Sequence, residues 1–168
     1  MSGQGGAQPV GAGQVRNPYL SYLSPQANQI DITFYTTSIT LTPGQSLPST
    51  INIDAGNDFY WYATMQQSSI AGVAYDPTAH VPIVPLANLV ITDSGSQRQL
   101  MNAPVPVSTL AGSGSLPHRM LLPRLFKGNS VIQFAWQSFD SVNTVLIQLV
   151  LEGFRLPLNM PFGNFFAG

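Results

Sequence analysis

Short runs of alternating apolar and polar residues recur along the chain, and turn-forming residues separate them. The clearest run places Ile132, Phe134 and Trp136 on one parity, and residues 59–65 alternate in the same way around Trp61. A period of two is that of a strand with one buried face, and no stretch shows the 3.6-residue period of a helix. About eight such segments therefore predict an all-β fold, namely an antiparallel β-sandwich of the jelly-roll kind.

Two segments depart from simple alternation and carry more specific predictions. Residues 30–34 are apolar on one parity, whereas Ile39 and Leu41 fall on the other, which predicts a bulge or break near Thr36. Residues 144–156 are apolar on both parities, so we expect a central strand that is covered on both faces. The predicted core centres on Trp61, Phe134, Trp136, Ile147 and Leu149.

Charged side chains are scarce in this chain, which limits the partners that it can bind. Six basic and seven acidic residues make up 8% of the chain, against about 25% in an ordinary soluble domain. The basic residues are too few and too scattered for the positive stripe that phosphate binding needs, so nucleic acid is not an expected partner. A free monomer normally carries a charged surface. A surface built on amides and hydroxyls instead suits a protein that is covered by neighbouring subunits.

The sequence shows no sign of export or membrane insertion. Residues 1–14 have neither the basic region nor the apolar core of a signal peptide. The longest apolar run, residues 145–151, contains Gln148 and is far too short to span a bilayer. The chain has no cysteine, so disulfide bonds and thiolate metal sites are excluded.

Residue patterns that would carry catalysis are missing from the sequence. His80 and His118 stand alone in Pro-rich loops, and Glu152 is the one glutamate, so the His-x-His and Glu triad of a metal-binding jelly roll is absent. Residues 54–58 lack the spacing of a calcium loop, and residues 112–115 do not form a nucleophile elbow. We therefore expect no enzyme activity, no metal and no cofactor.

The two ends of the chain differ from its middle, which predicts three parts. These are an extended Gly/Gln/Pro-rich N-terminal arm (1–29), the β-sandwich (30–156) and an apolar C-terminal tail (157–168). Residues 1–14 cannot bury enough apolar area to offset their ordering entropy. The apolar residues of both ends either fold back on their own domain or contact another subunit, and the second hypothesis predicts an interface of Tyr19, Leu20, Tyr22, Leu23, Leu158, Met160, Phe162, Phe165 and Phe166.

Several short motifs resemble those of virion structural proteins from tailed bacteriophages. An aromatic strand at 58–61 and a strand at 89–93 precede Ala-Pro-Val-Pro-Val at 103–107, and Leu-Pro-Arg follows at 122–124. Two strands come next, at 130–134 and 145–155, and the second ends in Gly-Phe-Arg. The resemblance spans residues 30–156, and the sequence departs from it at Leu125, where the pattern has a second proline.

The resemblance implies a jelly-roll subunit that decorates or cements a capsid. Its expected partners are the major capsid protein and neighbouring copies of itself. We expect it to be made in the host cytoplasm and to lie on the capsid surface of the virion. The alternative is a tail-, collar- or fibre-associated virion protein that binds carbohydrate through Tyr60 and Tyr62. A third hypothesis is a jelly roll that binds a small molecule or acts as an enzyme. The copy number per virion separates the first two.

Overall fold

A computed structural model describes residues 31–73, 84–113 and 116–158. The strands in this part of the chain are β1 (Asp31–Leu41), β2 (Ser46–Asn52), β3 (Asn57–Ile70), β4 (Ala87–Asp93), β5 (Arg98–Gln99), β6 (Val105–Pro106), β7 (His118–Phe126), β8 (Val131–Ser138) and β9 (Val145–Pro157). One helical turn, α1 (Val107–Leu110), follows β6. The predicted all-β fold is confirmed, and β5 and β6 are two-residue pieces of one sheet edge.

The strands form two antiparallel sheets packed as a sandwich. One sheet has the order β1-β9-β3-β7, and the other has the order β2-β8-β4, with β5 and β6 both paired to the free edge of β4. Strands β1 to β4 alternate between the sheets, and β7 to β9 alternate again after β5 and β6. This connectivity is that of a jelly roll, as the sequence predicts.

The core lies between the two sheets and contains the residues predicted for it. Trp61, Phe134, Trp136, Ile147 and Leu149 are all buried. The indole N–H of Trp136 donates a hydrogen bond to Oγ of Ser49 at 2.8 Å, so its polar atom is satisfied inside the sandwich.

Strand β1 does not have the predicted bulge near Thr36. It pairs with β9 in unbroken register from Asp31 to Leu41. Ile32 and Phe34 are 57% and 55% exposed, because their parity points away from the core. Thr37 occupies the inner parity instead, where its hydroxyl donates to Oγ of Ser49 at 2.9 Å.

Strand β9 lies centrally, between β1 and β3, as predicted, but it is not covered on both faces. Its inner parity is buried from Val145 to Leu151, whereas Leu146 on the outer parity is 41% exposed and Val150 and Phe154 are half-buried. The prediction of two covered faces is therefore wrong for the described part of the chain. The second sheet covers one face only.

Strand β3 contains a bulge that the alternating sequence does not reveal. Its register with β9 and β7 shifts between Trp61 and Ala63, so Tyr62 is the extra residue. Beyond the bulge the inner parity passes to Thr64, which is 1% exposed and accepts a hydrogen bond from the Trp61 indole at 3.1 Å. Met65 pairs with Val150 on the outer parity, so the predicted parity is wrong beyond Trp61.

Candidate protein-binding face

The surface of the four-stranded sheet that points away from the core is the candidate site. We call it the outer face. Its apolar members are the outward-facing residues of the three strands β1, β9 and β3, namely Ile32, Phe34, Leu146, Val150, Phe154, Tyr62 and Met65. They lie side by side because the outer parities of β1, β9 and β3 are in register.

One end of the outer face is aromatic. Ile32 pairs with Phe154, and Phe154 pairs with Tyr60, so the three residues form one row across the strands. The ring of Tyr62 stacks on Phe154 with a centroid distance of 4.8 Å and an interplanar angle of 30°. The bulge at Tyr62 aims this ring across the strand, which extends the row into an apolar cluster.

A single carboxylate lies within the aromatic end. Glu152 pairs with Phe34 in the register of β1 and β9, and Tyr62 Oη donates to Oε1 of Glu152 at 2.6 Å. Burial raises the pKa of Tyr62 above its usual value, and the hydrogen bond to Glu152 and the Glu152 charge raise it further, while Arg119 opposes them. Tyr62 therefore stays protonated and holds the carboxylate in place.

The other end of the outer face is polar but uncharged. Here a shallow depression of about 400 Å³ lies across β1, β9 and β3. Hydroxyl and amide side chains line it around Leu146, namely Ser38, Thr40, Gln67, Ser69 and Gln148. Such side chains can both donate and accept hydrogen bonds, so this end suits a neutral polar partner surface.

The β7 edge of the sheet carries a second exposed apolar feature. In the pairing with β3, Arg124 lies opposite Trp61 and Arg119 lies opposite Ala63, so four residues of β7 face the one bulge residue of β3. Leu121 and Leu122 stand out from the strand and are 97% and 77% exposed. We call these two residues the leucine projection.

The aspartates support turns and ion pairs. Asp93 and Asp140 accept hydrogen bonds from backbone N–H groups of the turns that follow them. Asp58 is buried and accepts from Nζ of Lys127 at 2.8 Å and from the backbone N–H of Gly128 at 2.9 Å. Arg155 bridges two exposed aspartates, Asp31 and Asp54, at 3.2 Å each.

Neither a cluster of metal ligands nor a membrane-spanning helix occurs in the described ranges. They contain no group of three or more His, Cys, Asp or Glu residues that could hold a metal ion. No helix within those ranges is long and apolar enough to cross a membrane. His118 is an exposed residue at the start of β7, and His80 lies outside the described residues.

Most of the predicted interface lies beyond the part of the chain that the structure describes. Leu158 is described, is 45% exposed and follows the end of β9. The other eight residues lie outside the described ranges, so their role stays a prediction: Tyr19, Leu20, Tyr22, Leu23, Met160, Phe162, Phe165 and Phe166. Sequence reasoning missed the outer face, although apolar residues on both parities of β1 and β9 were its signal.

The tyrosines considered for carbohydrate stacking take part in packing. Tyr60 is only 7% exposed, and Tyr62 has one ring face against Phe154 and its hydroxyl on Glu152. A sugar ring needs an open aromatic face, so the geometry favours cross-strand packing as the role of these two tyrosines.

Comparison with known proteins gives structural neighbours at low sequence identity. No protein-family model and no curated protein matches the chain. The chain is similar to one in the capsid asymmetric unit of the cyanophage Pam1, with 14% identity and a TM-score of 0.44 over 93% of this chain and 98% of that one. It is also similar to a chain of infectious bursal disease virus, Gx strain, with 11% identity and a TM-score of 0.35 over 82% of this chain and 34% of that one.

Proposed function

We propose that this chain is a structural protein of a virus particle, which decorates or cements a bacteriophage capsid by binding across major capsid protein subunits. The observation that carries the proposal is the outer face, where a sheet surface of mostly apolar and neutral polar side chains is left uncovered by the described part of the chain. Contiguous exposed apolar surface of this kind marks contact sites on soluble proteins. The outer face is therefore proposed as the surface that binds the particle.

The composition of the chain supports a place within an assembly. With charged residues at 8% of the sequence, the surface relies on hydroxyls and amides, and the polar end of the outer face is of this kind. Interface cores are enriched in aromatic side chains, as the aromatic end of the outer face is. Both ends of the outer face therefore suit contact with protein.

The partner and the place of the protein are part of the proposal. A jelly roll is an architecture that viral capsid domains share with lectins and cupins, so the fold alone does not select the function. The sequence resemblance to tailed-phage virion proteins supports the first of these classes. The proposed role is non-catalytic, on the capsid surface, after synthesis in the host cytoplasm.

The proposal is tested by adding the purified protein to capsids that lack it. We expect cosedimentation with the shells, a higher temperature of shell disruption and a copy number close to that of the major capsid protein. Leu146→Asp places a charge on the outer face and should abolish binding, because a desolvated carboxylate would face apolar or neutral groups.

Val142→Asp is the matched control, because Val142 is 77% exposed in the loop before β9. This variant should bind as the wild type does. A few copies per particle would support the tail, collar or fibre alternative. Equal binding by both aspartate variants would contradict the assignment of the outer face.

A further inference from the structure

The four-stranded sheet carries two exposed apolar features, one at each edge. Strand β1 forms one edge and presents Ile32 and Phe34, and strand β7 forms the other and presents the leucine projection. We infer that the protein associates with further copies of itself head to tail, so that the leucine projection of one copy covers Ile32 and Phe34 of the next. This inference concerns contacts between copies and does not depend on the proposed capsid binding.

The placement of the two features favours a contact between copies. Strands β9 and β3 separate β1 from β7, so three inter-strand steps of about 14 Å in total lie between the two edges. The leucine projection therefore cannot cover Ile32 and Phe34 of its own chain. A contact between different surfaces of identical subunits is heterologous and builds rings or extended assemblies.

The charges beside the two features are of opposite sign. Residues 118–124 of β7 include Arg119 and Arg124 and no acidic residue. On the β1 side, Asp31 and Asp54 both pair with Arg155, so two carboxylates share one cation there. The β7 edge therefore has a positive balance and the β1 side a negative one among the described residues.

This charge distribution selects between the possible pairings of two copies. Joining two β1 edges would bring carboxylates together, and joining two β7 edges would bring arginines together, and both arrangements are repulsive. Joining β7 to β1 brings unlike charges together and covers apolar side chains on both partners.

The contact is expected to rest on side chains rather than on a continued sheet. Strand β7 is irregular at residues 120–123, where four residues lie opposite one, and such a bulge blunts an edge for strand pairing. The exposed leucines instead offer a compact apolar group that can pack against the exposed ring of Phe34.

Sedimentation velocity of the full chain over a range of concentrations tests the inference. We expect the wild type to assemble in a concentration-dependent manner. The double variants Leu121→Ser/Leu122→Ser and Ile32→Ser/Phe34→Ser should each raise the dissociation constant at least about thirtyfold. The matched control is Leu116→Ser/Val142→Ser. It removes two apolar side chains that are 78% and 77% exposed but lie outside both apolar features. It should assemble as the wild type does.

Mixing the two defective variants separates a head-to-tail contact from any other. Each variant retains one intact surface, so an equal mixture should form heterodimers and assemble no further. Arg124→Glu should weaken assembly and reduce its dependence on salt, because one attractive charge becomes repulsive. Circular dichroism of each variant confirms that the sandwich is folded.

Three outcomes would overturn the inference. A wild type that stays monomeric at every concentration would do so. If removal of residues 1–30 or 159–168 then allowed association, those residues would be the ones that cover the β1 edge. Equal assembly of the leucine variant and the control would exclude the projection. A mixture that assembles no further than either variant alone would exclude the pairing of β7 with β1. Capsid cosedimentation is read from the leucine variant, which leaves the outer face intact, and from Leu146→Asp, so failure of one proposal leaves the other testable.

Discussion

At the scale of the residue, Trp136 stabilises the core both by apolar burial of its ring and by a hydrogen bond from its indole N–H. Its ring is 1% exposed beside Phe134, at a centroid distance of 6.2 Å, and its N–H is bonded to Ser49. Trp136→Ala should lower the free energy of unfolding by about 3–5 kcal/mol, because it leaves a large cavity. Urea denaturation measures this change. Gln137→Ala, at the exposed next position, should change it by less than about 0.5 kcal/mol.

A second residue-scale prediction concerns the stability of the protein in acid. The backbone N–H groups of Asn143 and Val142 hold the pKa of Asp140 below its usual value. A carboxyl with a lowered folded-state pKa contributes stability that is present above its unfolded pKa and is lost as the pH falls through the folded value. The wild-type Tm should therefore fall more steeply than that of Asp140→Asn below about pH 4. Parallel Tm curves for the two proteins would refute this account.

At the scale of the element, the close approach of β9 to β3 depends on Gly153. A Cβ atom at this position would lie 2.5 Å from Cζ of Phe59 and 2.5 Å from the carbonyl oxygen of Tyr60. Gly153→Ala should therefore destabilise the sandwich by about 1–3 kcal/mol through overpacking, as measured by thermal or urea unfolding. Gly56→Ala is the matched control, because a Cβ there meets no atom within 4 Å. Similar stability of both variants would count against this packing.

The elements also show which parts of the fold the sequence could predict. The burial of Ile132, Phe134 and Trp136 follows from alternation in β8, because the outward positions between and after them carry glutamine or the small alanine. In β1 and β9 both parities are apolar, and a pattern of this kind does not distinguish a strand covered within the chain from one covered by another molecule. The bulge at Tyr62 depends on register with two partner strands, which is non-local, so the local sequence did not reveal it.

At the scale of the whole molecule, the described residues include exposed apolar side chains around a buried core. The core residues were predicted because burial within one chain leaves a local pattern. The outer face was missed because a local pattern with two apolar parities does not tell whether the second parity is covered within the chain or left exposed. The leucine projection was not predicted, because the sequence around Pro123 gives no sign of how far Leu121 and Leu122 stand out.

The last prediction, also at the molecular scale, asks whether the chain ends or the outer face bind the particle. Removal of residues 1–25 should leave the sandwich folded, because β1 begins at Asp31. The same is expected on removal of 157–168, since these residues include only the last position of β9. If the apolar residues of the ends anchor the protein, both truncated proteins should give a wild-type circular dichroism spectrum and fail to cosediment with capsids.

The comparison with Leu146→Asp makes that result decisive. Loss of binding in the truncated proteins alone would assign attachment to the extended ends, which can cover a large surface when they become ordered on binding. Wild-type occupancy by both truncated proteins, together with loss of binding in Leu146→Asp, would assign attachment to the outer face. Loss in all three would mean that the ends and the face bind together, and each contact would then raise the effective concentration of the other.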